Sequence, residues 1–127
     1  VIAPGLYIAD TEQMGRGVFT SVAITAGSLI EIAPVIVMSG KERALIDQTL
    51  LHDYIFEWGT DSLQCALALG WVSVYNHSYT ANCEYEMDYT TNSIQIKTVR
   101  NIRAGEELLI NYGGSWDEQK PVWFEAK

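Results

Sequence analysis

Runs rich in Val, Ile, Thr and Tyr recur along most of this chain: VFTSVAI, SLIEIAPVIVM, CEYEMDY, SIQIKTV and ELLINY. β-Branched and aromatic side chains suit a pleated, half-buried surface, and several runs alternate in polarity, so the chain is predicted to be mainly β with short helices. One helix is predicted from Gly40 to about His52, where Ser39 and Glu42 form a capping box ahead of Ala44, Leu45, Ile46, Leu50 and Leu51. A second helical turn is placed within Ala66 to Val74.

The strands share a turn device. Ile24-Thr25-Ala26-Gly27-Ser28-Leu29-Ile30 is echoed by Ile102-Arg103-Ala104-Gly105-Glu106-Glu107-Leu108, each reading as strand, glycine turn, strand. Gly27 and Gly105 would supply positive φ without a Cβ clash, and the aliphatic residues that follow would re-enter a sheet. With 127 residues, 48% hydrophobic and 19% charged, the chain can bury one core. No Pro/Gly/Ser-rich stretch divides it, so residues 1–127 are expected to form a single domain.

Sixteen acidic against eight basic side chains give a net charge of −8, which opposes binding to nucleic acid and favours a basic protein or peptide as partner. No run approaches the roughly 18 apolar residues of a membrane span, and the opening VIAPGLYIAD has no basic leader, so no membrane partner is expected. The expectation is an intracellular protein, cytoplasmic or nuclear depending on its source, and not secreted. Cys65 and Cys83, with only His52 and His77, make neither a disulfide framework nor a zinc pattern; reduced thiols and no metal are expected.

Three clusters interrupt the β pattern. In Met14-Gly15-Arg16-Gly17-Val18-Phe19, a GxG ahead of a strand lets backbone approach a ligand closely, or simply serves a turn. In Tyr75-Asn76-His77-Ser78, with Asn82 behind it, the amide and imidazole can read the polar edge of a nucleobase, or can cap a turn. In Glu107-Leu108-Leu109-Ile110-Asn111-Tyr112-Gly113-Gly114, a tyrosine released from an apolar strand into two glycines can turn its hydroxyl to a cavity, or pack in the core.

In this order, GRGVF, YNHS followed by Asn82-Cys83, and GEELLINYG resemble the SET domain of protein-lysine methyltransferases over about residues 5–116. Asp53-Tyr54-Ile55-Phe56 and Ala66-Leu67-Ala68-Leu69-Gly70 are similar to the compact virus- and bacterium-type members without zinc-binding flanks. The resemblance implies several small sheets around a knot-like C-terminal segment, and transfer of a methyl group from S-adenosylmethionine to the side-chain amine of a lysine, leaving S-adenosylhomocysteine.

Carried across, Gly15, Arg16 and Gly17 correspond to the cradle for the methionine part of the cofactor. Asn76 and His77 correspond to the pair meeting its amino-acid end and its adenine. Tyr112 matches the catalytic tyrosine, and Tyr54 a tyrosine lining the lysine channel. Ser73 and Tyr75 would brace the Asn76 turn. Without zinc-stapled flanks another group must close the cofactor pocket; Trp116 or Trp123, in the tail 117–127 and just before it, is the candidate lid, with packing on the body or on a second subunit as the alternative. Compact relatives can dimerise, so a homodimer is also an expectation. The substrate implied is a lysine in a basic protein such as a histone or ribosomal protein. Glu84, Glu86 and Asp88 would share one strand face, with Asp53, Glu57 and Asp61 near the channel; either is a solvated surface or a steering field for a basic tail. The competing reading is a non-catalytic SET-like module that binds protein.

Overall fold

The computed structural model describes residues 1–59 and 63–113. Among the described residues, nine strands form two sheets. Strands β1 (Leu6–Asp10), β2 (Arg16–Thr20), β6 (Asn76–His77) and β9 (Glu107–Ile110) make a four-stranded sheet in the order β1-β2-β9-β6. Strands β3 (Leu29–Met38), β4 (Ile55–Trp58), β5 (Gln64–Ala68), β7 (Cys83–Asp88) and β8 (Ser93–Thr98) make a five-stranded antiparallel sheet in the order β4-β5-β3-β8-β7.

Strand β3 is the spine of the larger sheet. Its first half, through Pro34, pairs with β8, and its second half, Val35–Met38, pairs with β5. A register shift falls between Leu29 and Glu31, and both Glu31 and Ala33 end up buried. Val18, Ile30, Ile94, Ile96, Leu108 and Ile110, contributed by both sheets, are almost fully enclosed and belong to one core cluster with Tyr75 and Cys83. Burying a branched aliphatic side chain of this size contributes about 1.5–3 kcal/mol, which is why the alternating runs settle against one another.

The two echoed segments lie side by side. Ile24 and Ile102 form an antiparallel bridge with both backbone bonds made, at 2.9 and 2.8 Å. Gly27 and Gly105 adopt φ of +78° and +90°, with open space where a Cβ would stand. Backbone handedness, not crowding, therefore demands glycine at both turns.

Helix α1 (Gly40–Ile46) starts at the expected capping box: the Glu42 amide donates to Ser39 Oγ at 3.2 Å and the Ser39 amide to Glu42 Oε1 at 3.0 Å. It ends earlier than predicted. Thr49 is extended, its hydroxyl donates to the Ile46 carbonyl, and it caps a separate 3-10 turn, Leu50–Tyr54. A side chain that bonds local backbone competes with helix continuation. The second helical turn expected within Ala66 to Val74 is present at the end of that segment. Ala66 and Ala68 lie in β5, and only Val72–Val74 forms a 3-10 turn.

Strand β9 lies between β2, antiparallel, and β6, parallel, so the end of the described chain is enclosed by its beginning and middle. Asn82 fastens it there. Its amide donates to the Glu107 carbonyl at 2.9 Å and its oxygen accepts from the Leu109 amide at 2.8 Å, reproducing with a side chain the two bonds of a neighbouring strand.

Candidate active site

The loop before β2, the 3-10 turn Leu50–Tyr54, the segment Ser73–His77 and the residues after β9 converge on one cleft of about 410 Å3. Gly15, Arg16, Tyr54, Asn76, His77 and Tyr112 all line it, together with Met14, Asp53, Ser73 and Val74. Thus residues from the three clusters, far apart in sequence, share one wall. Trp116 and Trp123 lie outside the described residues, as does Asp61.

Gly17 does something other than expected. It does not line the cleft; a Cβ there would stand 2.4 Å from Glu107 Oε2 and 2.9 Å from Asn76 Nδ2. Its lack of a side chain lets those two groups meet. Asn76 Nδ2 donates to Glu107 Oε2 at 2.8 Å and to the Arg16 carbonyl at 3.1 Å, joining β6, β9 and β2 beneath the cleft. Both amide hydrogens are engaged, so the Asn76 side chain has only its oxygen to offer a ligand. Gly15, by contrast, has φ +70° and open space over its Cα.

His77 is nearly buried, and that burial holds its pKa below the ordinary imidazole value. Its Nδ1 accepts the Tyr112 amide at 3.0 Å, so the proton of the neutral ring sits on Nε2. That Nε2 is buried without a partner. An unpaired buried donor is uncommon in a folded chain and points to a group supplied from outside.

The Tyr112 hydroxyl donates a short hydrogen bond to the Tyr75 carbonyl. Burial, reinforced by Tyr54 and the Glu107 charge, pushes its pKa far above the usual phenol value, so it stays protonated. Tyr112 also lines a second, much smaller recess of about 10 Å3, shared with Tyr54, Ile55, Phe56, Asp53 and Ser73. Cleft and recess therefore share Asp53, Tyr54, Ser73 and Tyr112 in their linings. Behind them, the Ser73 hydroxyl donates to the Tyr54 carbonyl at 2.9 Å.

These features fit S-adenosylmethionine. The cleft has the volume of a small-molecule site, Gly15 leaves room for close backbone approach, and His77 Nε2 provides an unused donor. Asp53 places a carboxylate on the wall where a cationic ligand would lie.

Of the acidic surfaces, Glu86 pairs with Lys97 at 3.8 Å, Asp88 accepts the Thr90 and Thr91 amides, and Glu57 pairs with Arg43 at 3.5 Å. Asp53, on both hollows, is the acidic residue best placed to meet a substrate.

Residues 15–113 match the SET domain family. The chain is 39% identical over 126 residues to a histone-lysine N-methyltransferase, H3 lysine-37 specific, of Schizosaccharomyces pombe, covering 98% of this chain and 80% of that protein. Among solved structures it resembles a candidate histone methyltransferase of Plasmodium falciparum, at 30% identity and a TM-score of 0.64 over 92% of this chain and all of that one. A chain of an active polycomb repressive complex 2 shares the fold at 21% identity, with a TM-score of 0.71 over 87% of this chain and 15% of that one. With the three clusters on one cleft and the match covering most of the sequence, the chain belongs to the SET-domain family.

Proposed function

We propose that this protein is an S-adenosylmethionine-dependent protein-lysine N-methyltransferase whose substrate is a lysine in a basic protein, histone H3 being the first candidate. The observation that carries this reading is Tyr112, which lines both the cofactor-sized cleft and a small tyrosine-walled recess. When bound, the cofactor supplies an electrophilic methyl group on a sulfonium.

The chain's own residues supply the rest. Gly15 and Arg16 would approach the cofactor with backbone, His77 Nε2 would donate to it, and the Asn76 oxygen would accept from its ammonium. Tyr54, Phe56 and Tyr112 form walls that disfavour a charged lysine, whose ordinary pKa is about 10.4, and so favour the neutral amine that has a lone pair. Tyr112 stays protonated and fixed to the Tyr75 carbonyl, so it orients the amine and does not act as a base. The recess is narrow for a lysine stem, and one of its walls, Tyr54, is 39% exposed. The net charge of −8 supports a basic substrate, and the buried thiols of Cys65 and Cys83 suit a reducing, intracellular setting, which we also propose.

Two measurements test the reading together. S-Adenosylhomocysteine should raise the unfolding midpoint, by an amount equivalent to about 2.7 kcal/mol at a hundredfold excess over its Kd. Radiolabelled methyl groups should pass from S-adenosylmethionine to histone proteins. A stabilising ligand without transfer would favour the non-catalytic binding module, and no shift at all would remove the cofactor assignment.

A further inference from the structure

Among the described residues, three buried side-chain atoms lack a hydrogen-bond partner: Glu31 Oε1, the Tyr75 hydroxyl and His77 Nε2. The third belongs to His77, a residue that lines the candidate site. The first two belong to side chains that lie next to each other in the core. A carboxyl group that is 1% exposed inside a strand calls for a reason.

The reason lies in its other oxygen. Glu31 Oε2 accepts the Trp71 amide at 2.7 Å, at the start of the 3-10 turn Val72–Val74. Room is made for it on both sides: the register shift in β3 falls just before Glu31, and Gly70, at φ +85°, leaves vacant a Cβ position only 2.6 Å from Oε2. Bulged strands and glycines of this kind re-aim a side chain where regular pairing could not. The turn held in this way carries much of the site. Ser73 bonds the Tyr54 carbonyl, the Tyr75 carbonyl accepts the Tyr112 hydroxyl, and Asn76 and His77 follow directly.

We infer that Glu31 is a positioning residue for methyl transfer: its carboxyl reaches through the core to the Trp71 amide and fixes the turn that sets Tyr54 and Tyr112 against one another. Reach and acceptor chemistry matter here, not charge. This rests on the methyltransferase reading above for its catalytic consequence, but the anchor itself is a structural claim with its own readout.

Two substitutions separate reach from charge. Glu31→Gln keeps the length and one acceptor oxygen; Glu31→Asp keeps the charge but withdraws it by one methylene. Hydrogen exchange at the Trp71 amide, which needs no catalysis, should accelerate at least tenfold in Glu31→Asp and stay within threefold in Glu31→Gln. The kcat for histone methylation, normalised to S-adenosylhomocysteine-binding sites, should fall at least tenfold in Glu31→Asp with the peptide KM within threefold, and Glu31→Gln should retain kcat within threefold. Equal behaviour of the two variants, or fast exchange with unchanged kcat per site, would overturn the proposal. If Glu31→Asp does not fold, Ser73→Ala, which cuts the same turn from Tyr54 at the surface, should lower kcat at least fivefold; an unchanged kcat would overturn it. A parent protein that binds S-adenosylhomocysteine but methylates nothing would instead sink the methyltransferase reading, and the exchange arm would still decide the anchor.

Discussion

Replacing Tyr112 by phenylalanine removes one oxygen and two roles, the bond to the Tyr75 carbonyl and the contact offered to an incoming amine. The stability loss should be about 0.5–1.5 kcal/mol, while kcat should fall roughly ten- to hundredfold, the cost of about 1.4–2.7 kcal/mol in the transition state. Steady-state kinetics beside thermal unfolding separates the two. His77 gives a pH prediction. Its folded pKa lies below the ordinary 6.5, so on acidification the unfolded chain takes up the proton first. The stability linked to neutral His77 is present above about pH 6.5 and is lost as pH falls through the lowered folded value. Glu31, whose pKa is raised by burial, works in the opposite sense: its contribution is full below about 4.5 and is lost as pH rises through the raised value. Unfolding midpoints should therefore drop below about pH 6.5, and His77→Asn, whose oxygen can still accept from the Tyr112 amide, should flatten that limb. Gly15, Asn76, His77 and Tyr112 were legible in the sequence because each sits in a polar or glycine-rich break in an apolar pattern. Glu31 was not. An acid inside an alternating strand reads as a solvent-facing residue, and only the register shift in three dimensions turns it inward.

Strand β9 owes its place as much to Asn82 as to its strand partners. Asn82→Ala would leave the Leu109 amide and the Glu107 carbonyl without their side-chain partner, and should cost about 2–4 kcal/mol in denaturant unfolding. Since β9 carries Glu107 and leads into Tyr112, affinity for S-adenosylhomocysteine should weaken in the same variant, measured by calorimetry. The runs that contain β2, β3, β7, β8 and β9 announced themselves by their β-branched and aromatic residues. Strand β1 and the short strands β4, β5 and β6 did not: Gln64–Ala68 carries two alanines and a cysteine, and two residues at Asn76–His77 are too few to show a period. The helix was placed correctly at its start because a capping box is local chemistry, and ran too long because Thr49 resolves its competition with the backbone only in the folded chain. The pairing of Ile24 with Ile102 shows that the internal echo was a true structural relation, though nothing local in the sequence revealed that its two copies touch.

At the scale of the whole molecule, excess negative charge and the carboxylate of Asp53, which lines both hollows, favour a basic tail. Raising ionic strength from about 0.01 to 0.15 M shortens the screening length from about 30 to 8 Å, so the KM for a basic peptide should rise several-fold while kcat changes little. Indifference of KM to salt would separate substrate choice from the charge of the protein. The most direct test of the central claim, that Tyr112, lining both cleft and recess, serves methyl transfer to lysine, is mass spectrometry of histone H3 incubated with the protein and S-adenosylmethionine. Methyl-sized increments confined to lysine side chains, and much reduced with Tyr112→Phe, are expected. Unmodified histone alongside demonstrable S-adenosylhomocysteine binding, or equal labelling by the Tyr112→Phe protein, would contradict it.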